Sequence, residues 1–335
     1  MSEAVNNFLN KYIHLSDSNV LYFSSKDFER NKKNSVKDNF LVNLELLNNI
    51  RYLNKYFESV NEAIDNGTLL FGRVETYSIR KKNIFSSYPK LIAYFIHLFQ
   101  IFFHRLLPRI KFIKNIYFFI TKGKGKLISK AEILGRLYCC GFELIELKVI
   151  DDKLNFIVKK IKKPSYDMNP TYGLIIGLNR LGKNRKKIKV YKFRTMYPYS
   201  EYLQKYLFRK SNLDVNGKVK NDFRISREGA FLRRYWIDEL PMIFNILKGD
   251  IKLIGVRPIS EDYFVLYSDE LKKIRTKYKP GFIPPYYVDL PKNLDEIIVS
   301  ELKYFKLYEK NPIKTDFIYL IKALNNVFFR GVRSK

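Results

Sequence analysis

The residue types best suited to chemistry gather in one stretch of the sequence, residues 233–258. Two adjacent carboxylates, Asp238 and Glu239, follow a pair of arginines and precede Pro241, and proline is favoured in the first turn of a helix. We expect this helix to end at Gly249, because glycine commonly follows the last helical residue. The N–H groups and partial positive charge at its start suit phosphate oxygens. The stretch therefore indicates phosphate chemistry beside an acid pair.

A structural alternative exists for the same residues. Asp238 could simply cap the helix while Arg233 balances its charge. A second motif upstream, Lys-Phe-Arg-Thr-Met at 192–196, favours the chemical interpretation. Its two cations, Lys192 and Arg194, would lie on one face of a strand, where alternate side chains point the same way. Together they could bind a pyrophosphate.

Taken in this order, the two motifs resemble the bacterial sugar transferase family from about residue 172 to residue 329. Members are membrane-bound phosphoglycosyl transferases that move a sugar 1-phosphate from a nucleotide-sugar to a polyprenyl phosphate. The resemblance implies a UDP-sugar and undecaprenyl phosphate as partners, with a polyprenyl-diphosphate-sugar and UMP as products. It also implies a monotopic or peripheral protein at the cytoplasmic face of the bacterial inner membrane. Such a protein would initiate exopolysaccharide, lipopolysaccharide or glycoprotein glycan synthesis.

The resemblance implies a role for each charged residue. Asp238 would be the nucleophile, since a carboxylate can attack phosphorus and form an acyl-phosphate that a second acceptor then cleaves. Glu239 would bind Mg²⁺, because a nucleophile approaching an anionic phosphate needs a metal and cations to offset the repulsion. Phosphate binding would fall to four cations: Lys192, Arg194, Arg233 and Arg257.

Two segments depart from the family's pattern. Residues 255–258 read Gly-Val-Arg-Pro where the family commonly has Gly-Pro-Arg-Pro, a change that keeps the cation Arg257 and loosens the turn. Residues 282–287 read Phe-Ile-Pro-Pro-Tyr-Tyr where the family continues Thr-Gly-Leu and a glutamine, so the sugar preference stays open. These departures leave an alternative function, a catalytically inactive membrane-surface scaffold or regulatory protein of glycan assembly.

Composition narrows the class of partner. The 335 residues carry a formal charge of +29, which favours an anionic partner such as a nucleic acid, a membrane surface or a phosphorylated substrate. The basic residues are spread out and form no recognised nucleic-acid motif, so we expect no nucleic acid. Two neighbouring cysteines, Cys139 and Cys140, give no disulfide framework and indicate a reducing compartment. The oligomeric state stays open.

Residues 161–335 are expected to form a small α+β catalytic domain. The sequence predicts a hairpin with strands at Leu174–Asn179 and Ile188–Phe193. The connecting stretch 180–187 carries five basic residues, and it is either a solvated tip or part of a phosphate site. The polar stretch 211–227, with Asp222 and Arg224, predicts a mobile loop that closes over substrate. Helices are predicted at Ser200–Lys210, Ser260–Lys277, Leu294–Tyr308 and in a final segment capped by Thr315 or Asp316.

Residues 1–160 are predicted to form an α/β domain with a partial Rossmann-like character. The expected elements are a strand at 38–46, a helix at 50–64, a strand at 68–74, a helix capped by Ser129, and a strand pair at 142–149 and 154–158. Their order is similar to the C-terminal half of S-adenosylmethionine-dependent methyltransferases. No glycine-rich turn precedes residue 50, so a structural or regulatory role is expected rather than methyl transfer.

The most apolar segment, Pro89–Ile120, interrupts this first domain. Its near-continuous apolar run, followed by cations and Pro108, predicts a helix that dips into a leaflet or lies at the interface. The alternative is a buried domain helix. No stretch reaches the roughly 20 apolar residues of a spanning helix, and no secretory signal is recognised at the N-terminus. His97 and His104 are predicted to be core or interfacial residues and not metal ligands.

Overall fold

The computed structural model describes residues 1–12, 20–24, 38–110, 112–167, 173–210 and 222–329. The chain divides into two compact units. The first comprises Met1–Tyr172 and Tyr197–Lys210, and the second comprises Gly173–Met196 and Ser211–Lys335.

A mixed sheet forms the centre of the first unit. Its described strands are β1 (Val20–Phe23), β2 (Phe40–Leu46), β3 (Leu69–Val74), β4 (Phe142–Ile150) and β5 (Lys153–Lys160), in the spatial order β1-β2-β3-β5-β4. Strands β1 to β3 run parallel, and β5 is antiparallel to both of its neighbours. The predicted α/β class and the predicted strand pair are thereby confirmed. The Rossmann-like and methyltransferase comparisons stay predictions.

Local sequence explains why β4 and β5 pair. The two residues between them, Asp151 and Asp152, both have positive φ values, 51° and 50°. Two-residue hairpin turns of this kind need positive φ at both positions, which aspartate tolerates better than most residues. On β5, Phe156, Ile157 and Val158 are fully buried, so the hairpin is held by the core as well as by its turn.

Helices of the first unit follow the predicted signals closely. The predicted helix at 50–64 is Leu53–Ala63, and Ser129 caps Lys130–Cys139 by accepting a hydrogen bond from the Glu132 backbone N–H at 3.0 Å. Residues Ser200–Leu203 form a 3₁₀ turn that continues into a helix, as expected for that segment. The α-helices of this unit are Glu3–Leu9, Leu53–Ala63, Tyr77–Ser87, Lys90–Ile101, Lys114–Thr121, Lys130–Cys139 and Gln204–Lys210.

The apolar segment folds as a helix that stays exposed. Lys90–Ile101 continues into a π-helical turn, Phe102–Leu106, and a 3₁₀ turn, Leu107–Arg109. Leu91 and Phe95 are 72% and 66% exposed, so the alternative of a buried domain helix is wrong. His97 is buried and shares a hydrogen bond with the Tyr77 hydroxyl, as expected of a core residue. No helix in the described ranges has both the length and the apolarity to cross a membrane.

Two small sheets and a helical layer make up the second unit. β6 (Ile175–Leu181) and β7 (Lys187–Phe193) form the predicted antiparallel hairpin, and β8 (Lys252–Ile254) pairs in parallel with β9 (Gly281–Ile283). A core of Ile254, Leu271, Tyr304 and Phe305 lies beneath the helices. Those helices are Arg227–Arg234, Ile243–Leu247, Glu261–Phe264, Asp269–Lys277, Tyr286–Asp289, Leu294–Lys310 and Pro312–Phe329.

Two predicted helices of this unit have different bounds in the structure. The predicted helix 260–277 is two helices, because Ser268 starts the second one by accepting a hydrogen bond from the Leu271 backbone N–H at 3.4 Å. The final helix begins at Pro312 and not at Thr315 or Asp316, since Asn311 caps it through the Lys314 N–H at 3.2 Å. Residues 211–221 of the predicted closing loop lie outside the described residues.

Candidate active site

The acid pair lies in a helix that starts earlier than predicted. Asp238 and Glu239 occupy the first turn of a 3₁₀ helix, Ile237–Met242, which continues into the short α-helix Ile243–Leu247. Pro241 is therefore inside the helical stretch and not at its start, which corrects the sequence-based boundary. The two carboxylates, predicted just ahead of the helix, thus lie inside its first turn.

A buried amide fixes this helix against the hairpin. Asn245 is fully buried, its Nδ2 donates to the Lys189 carbonyl oxygen at 2.8 Å, and its Oδ1 accepts from the Tyr191 N–H at 3.0 Å. Both bonds go to backbone groups of β7, so the helix is held at a defined position along that strand. Sequence reasoning missed this residue, and a polar amide inside an apolar helical run was the available signal.

Strand alternation explains why Lys192 reaches the acid pair. Ile188 and Val190, two positions apart on β7, are buried against Met242 in one apolar cluster, and Lys192 continues the same face. Its Nζ donates to Glu239 Oε1 at 2.5 Å. Burial lowers the pKa of Lys192, while the negative charge of Glu239 opposes that change. The apolar core beneath β7 therefore brings this cation to the acid pair.

Arg257 joins the same carboxylate from the other side. Its Nη2 donates to Glu239 Oε1 at 3.4 Å, and its Nη1 donates to the Tyr286 hydroxyl at 3.0 Å. Lys192, Glu239, Arg257 and Tyr286 line a cavity of about 40 Å³. Phe282, Pro284 and Tyr286 of the altered segment 282–287 therefore contribute directly to the cavity wall.

Asp238 lies beside this cluster and is partly exposed to solvent. Burial raises the pKa of Asp238 and the charge of Glu239 raises it further, whereas Lys192 and Arg233 act in the opposite direction. Two of the predicted cations therefore act electrostatically on the predicted nucleophile. A partly exposed carboxylate with raised basicity, close to positive charge, is suited to approach an anionic phosphate.

The remaining two predicted cations have structural partners as well. Arg233 Nε donates to Thr195 Oγ1 at 2.9 Å, and the Thr195 carbonyl oxygen accepts from the Ser226 N–H at 3.0 Å. A Cβ on Gly229 would approach that carbonyl oxygen to 1.9 Å, so only glycine permits this close packing. Arg194 Nε donates to the Gly173 carbonyl oxygen at 3.0 Å and so fixes the entry to the hairpin.

An ion pair below the cavity holds the backbone of Arg257. Arg275 and Glu301 are both buried and form a salt bridge, and Arg275 Nη2 also donates to the Arg257 carbonyl oxygen at 2.6 Å. Burial raises the pKa of Glu301, and the charge of Arg275 opposes this. Sequence reasoning gave neither residue a role, because each lies on a separate helix far along the chain.

Glu239 is a carboxylate in the cavity wall and is therefore a candidate ligand for Mg²⁺. No cluster of three or more histidine, cysteine or acidic side chains suited to a metal occurs in the described part of the chain. Mg²⁺ is commonly held by one or two carboxylates together with substrate phosphates and water. Glu239 provides such a carboxylate at the cavity wall, so its donor set fits a metal shared with a phosphorylated substrate.

Sequence comparison adds independent information about the second half of the chain. Residues 168–330 match the family of bacterial sugar transferases. A galactosyl transferase, CpsE of Streptococcus agalactiae, is 34% identical over 153 residues, which is 44% of this chain and 32% of that protein. An undecaprenyl-phosphate galactose phosphotransferase of Salmonella typhimurium is 39% identical over 102 residues, 29% of this chain and 21% of that protein.

The exopolysaccharide production protein ExoY of Rhizobium meliloti is 35% identical over 111 residues, which cover 31% of this chain and 48% of ExoY. The matching stretches thus span half or less of each of these relatives. The resemblance drawn from the two motifs is confirmed for residues 168–330.

Proposed function

Since residues 168–330 belong to the bacterial sugar transferase family, we propose that this protein transfers a sugar 1-phosphate from a UDP-sugar to a polyprenyl phosphate. The products would be a polyprenyl-diphosphate-sugar and UMP, and the reaction would begin a cell-surface polysaccharide or glycan. The main support is the position of Asp238 next to Glu239 at the cavity. Glu239 accepts hydrogen bonds there from Lys192 and Arg257. The names of two relatives include galactose and undecaprenyl phosphate, which supports the sugar and acceptor classes, and the UDP-sugar donor follows from the family resemblance.

In the first half-reaction, Asp238 would act as the nucleophile. A carboxylate oxygen attacks the phosphorus that carries the sugar, the bond from that phosphorus to the UMP oxygen breaks, and UMP leaves with the electron pair. The enzyme then holds the sugar phosphate as an acyl-phosphate. In the second half-reaction, a phosphate oxygen of the polyprenyl phosphate attacks the same phosphorus, and the Asp238 carboxylate is released.

The surrounding charges would stabilise both displacements. Lys192, Arg233 and Arg257 offset the negative charge of the diphosphate, which otherwise repels the incoming carboxylate. Glu239 would hold Mg²⁺ together with substrate oxygens, and when bound this ion would neutralise phosphate charge and polarise the bond that breaks. Tyr286 and Arg275 keep the Arg257 side chain and backbone in place through their hydrogen bonds.

The raised pKa of Asp238 predicts a pH dependence. The nucleophile must be deprotonated, so kcat/KM for the UDP-sugar is expected to fall as the pH drops through a value above the ordinary aspartate pKa. Initial rates of UMP release measured from about pH 4 to pH 8 would give the acid limb of the profile. Circular dichroism at each pH would separate titration from unfolding. A rate that is constant across the weakly acidic range in folded protein contradicts the assignment.

A direct assay separates the proposed reaction from its alternatives. Purified protein is incubated with Mg²⁺, a polyprenyl phosphate and each of a panel of UDP-sugars, and the nucleotide product is identified by chromatography. UMP is the expected product. UDP would indicate ordinary glycosyl transfer and would contradict the proposal. Absence of any nucleotide product with every donor would favour the inactive scaffold.

We place this reaction at a membrane surface because of exposed apolar side chains in each unit. In the second unit, Ile243, Phe244 and Leu247 on the helix that follows the acid pair are 47%, 58% and 79% exposed. On the final helix Phe317 is 62% exposed and Tyr319 is buried, so the helix presents apolar side chains to solvent as well as to the core. A lipid acceptor suits such a surface.

The first unit presents the larger apolar surface. Leu91, Phe95 and Leu98 are 72%, 66% and 54% exposed, and Phe112 and Phe119 are 86% and 85% exposed. Solvent-exposed lysines occur among these residues, and a helical surface of this composition favours the boundary between anionic headgroups and acyl chains. The exposed lysines are Lys90, Lys114, Lys122 and Lys124.

A triple substitution tests this membrane contact. The variant combines Leu91→Gln, Phe95→Gln and Leu98→Gln. We expect it to bind vesicles containing anionic lipid at least about 100-fold more weakly, because each apolar side chain contributes on the order of 1–3 kcal/mol when buried. Binding is measured by co-sedimentation. A matched control replaces Ile145 and Val149, exposed apolar residues of β4, with glutamine and should bind as the wild type does. Equal losses in both variants would contradict this location of the contact.

A further inference from the structure

Arg180, near the end of β6, contributes a side chain to the cavity, and the sequence analysis gave it no individual role. Arg180 lies opposite Ile188 in the β6–β7 register, and directly opposed residues of a hairpin share one face of the sheet. Ile188 begins the face of β7 that continues through Val190 to Lys192. Arg180 therefore points to the same side as Lys192, and it lines the cavity together with Lys192, Glu239 and Arg257.

The charges around this cavity do not balance. Arg180, Lys192 and Arg257 supply three positive charges to the wall, and Glu239 supplies one negative charge. Glu239 is already hydrogen-bonded to both Lys192 and Arg257. Burial lowers the pKa of Arg180, and the positive charge of Arg257 lowers it further. Two like charges near one another in a partly dehydrated wall are unfavourable unless an anion binds between or beside them.

Two buried arginines of this unit show what the half-buried Arg180 lacks. Arg275 is paired with Glu301, and Arg224 is paired with Asp222 through Nη2 at 2.6 Å. Arg180 donates from Nη1 to the carbonyl oxygen of its own neighbour, Asn179, at 2.8 Å, and forms no ion pair with an acid in the described ranges. A guanidinium has five N–H donors, so most of its capacity is left for a ligand. Its fork geometry suits two phosphate oxygens at once.

We propose that Arg180 binds the diphosphate of the nucleotide-sugar, acting with Arg257 across the cavity from Lys192. This inference rests on the proposed function and extends its substrate site to the basic hairpin. The diphosphate supplies negative charge to a wall that carries three cations and one carboxylate. The negative charge of the diphosphate would also offset the repulsion between the positive charges of Arg180 and Arg257.

Three variants of the 335-residue chain test the proposal: Arg180→Gln, Arg180→Lys and Lys183→Gln. Lys183 is an exposed cation of the same hairpin turn and serves as the matched control for net charge. Titration calorimetry with UDP measures binding without chemistry. We expect Arg180→Gln to weaken UDP binding about 10- to 100-fold, because a hydrogen-bonded charge pair is lost. Arg180→Lys should keep part of the affinity because it retains the charge without the fork. Lys183→Gln should bind UDP as the wild type does.

Several outcomes would overturn the proposal. These are unchanged UDP affinity in Arg180→Gln, an equal loss in Lys183→Gln, or no UDP binding by the wild type. An unfolding midpoint measured through Trp236 fluorescence shows whether Arg180→Gln is folded, and Arg180→Lys provides the answer if it is not. UMP release is assayed in parallel. Wild-type UMP release with unaffected Arg180 variants would refute only this inference. Loss of UDP binding in Arg180→Gln without UMP release by the wild type would refute only the proposed reaction.

Discussion

Asp238→Asn is expected to reduce UMP release by roughly 10³-fold or more, because the amide cannot act as the nucleophile on phosphorus. The shape of the side chain is nearly unchanged, so the loss would report on chemistry and not on packing. Initial rates of UMP release with a saturating UDP-sugar provide the measurement. The control is Asp269→Asn, which neutralises an acid that is 90% exposed at the start of another helix of the same unit and should leave the rate unchanged.

A second measurement on the same variant looks for the covalent intermediate directly. With a UDP-sugar labelled with ³²P in the phosphate attached to the sugar, and without lipid acceptor, the wild type should become labelled. Hydroxylamine should remove the label, since it cleaves acyl-phosphates. Asp238→Asn should stay unlabelled. If Asp238→Asn retains wild-type turnover, or carries the same hydroxylamine-sensitive label, Asp238 is not the nucleophile.

Glu301→Gln is expected to lower the free energy of unfolding of the second unit by about 3–5 kcal/mol. Glu301 and Arg275 are 3% and 6% exposed, so the substitution leaves a buried guanidinium without its counter-charge. The chain has a single tryptophan, Trp236, and it belongs to the second unit. Urea unfolding followed by tryptophan fluorescence therefore reports on that unit. Glu309→Gln, at an exposed position of the same helix, should change the free energy of unfolding by less than about 0.5 kcal/mol.

The paired replacement Arg275→Met with Glu301→Leu distinguishes charge from packing. When both partners of a buried ion pair become apolar, the change in stability is often small, so this variant should be much more stable than Glu301→Gln. Arg275 also donates a hydrogen bond to the Arg257 carbonyl oxygen, so the KM of this double variant for the UDP-sugar should still rise. A double variant as unstable as Glu301→Gln would show that side-chain shape, and not the unpaired charge, causes the loss.

Elements with strong local signals were predictable from sequence. The capping box at Ser129, the Asp151-Asp152 turn and the alternation along β7 each depend on residues close together in the chain. Local signals of this kind report directly on backbone conformation. Two of the errors at helix boundaries concern capping side chains: Ser268 starts a second helix inside a predicted one, and Asn311 starts the final helix ahead of the predicted caps.

By itself, the sequence determined that one unit carries an acid pair and several cations, in an order that resembles the bacterial sugar transferases. Only the tertiary structure decided how these charges meet. The Asn245 bonds to β7, the sharing of Glu239 by Lys192 and Arg257, and the approach of Arg180 to the cavity all join residues distant in the chain. The sequence alone identified the apolar segment Pro89–Ile120. Its exposure to solvent depended on how the rest of the first unit packs. Contacts of this kind follow from three-dimensional packing, which no local spacing specifies.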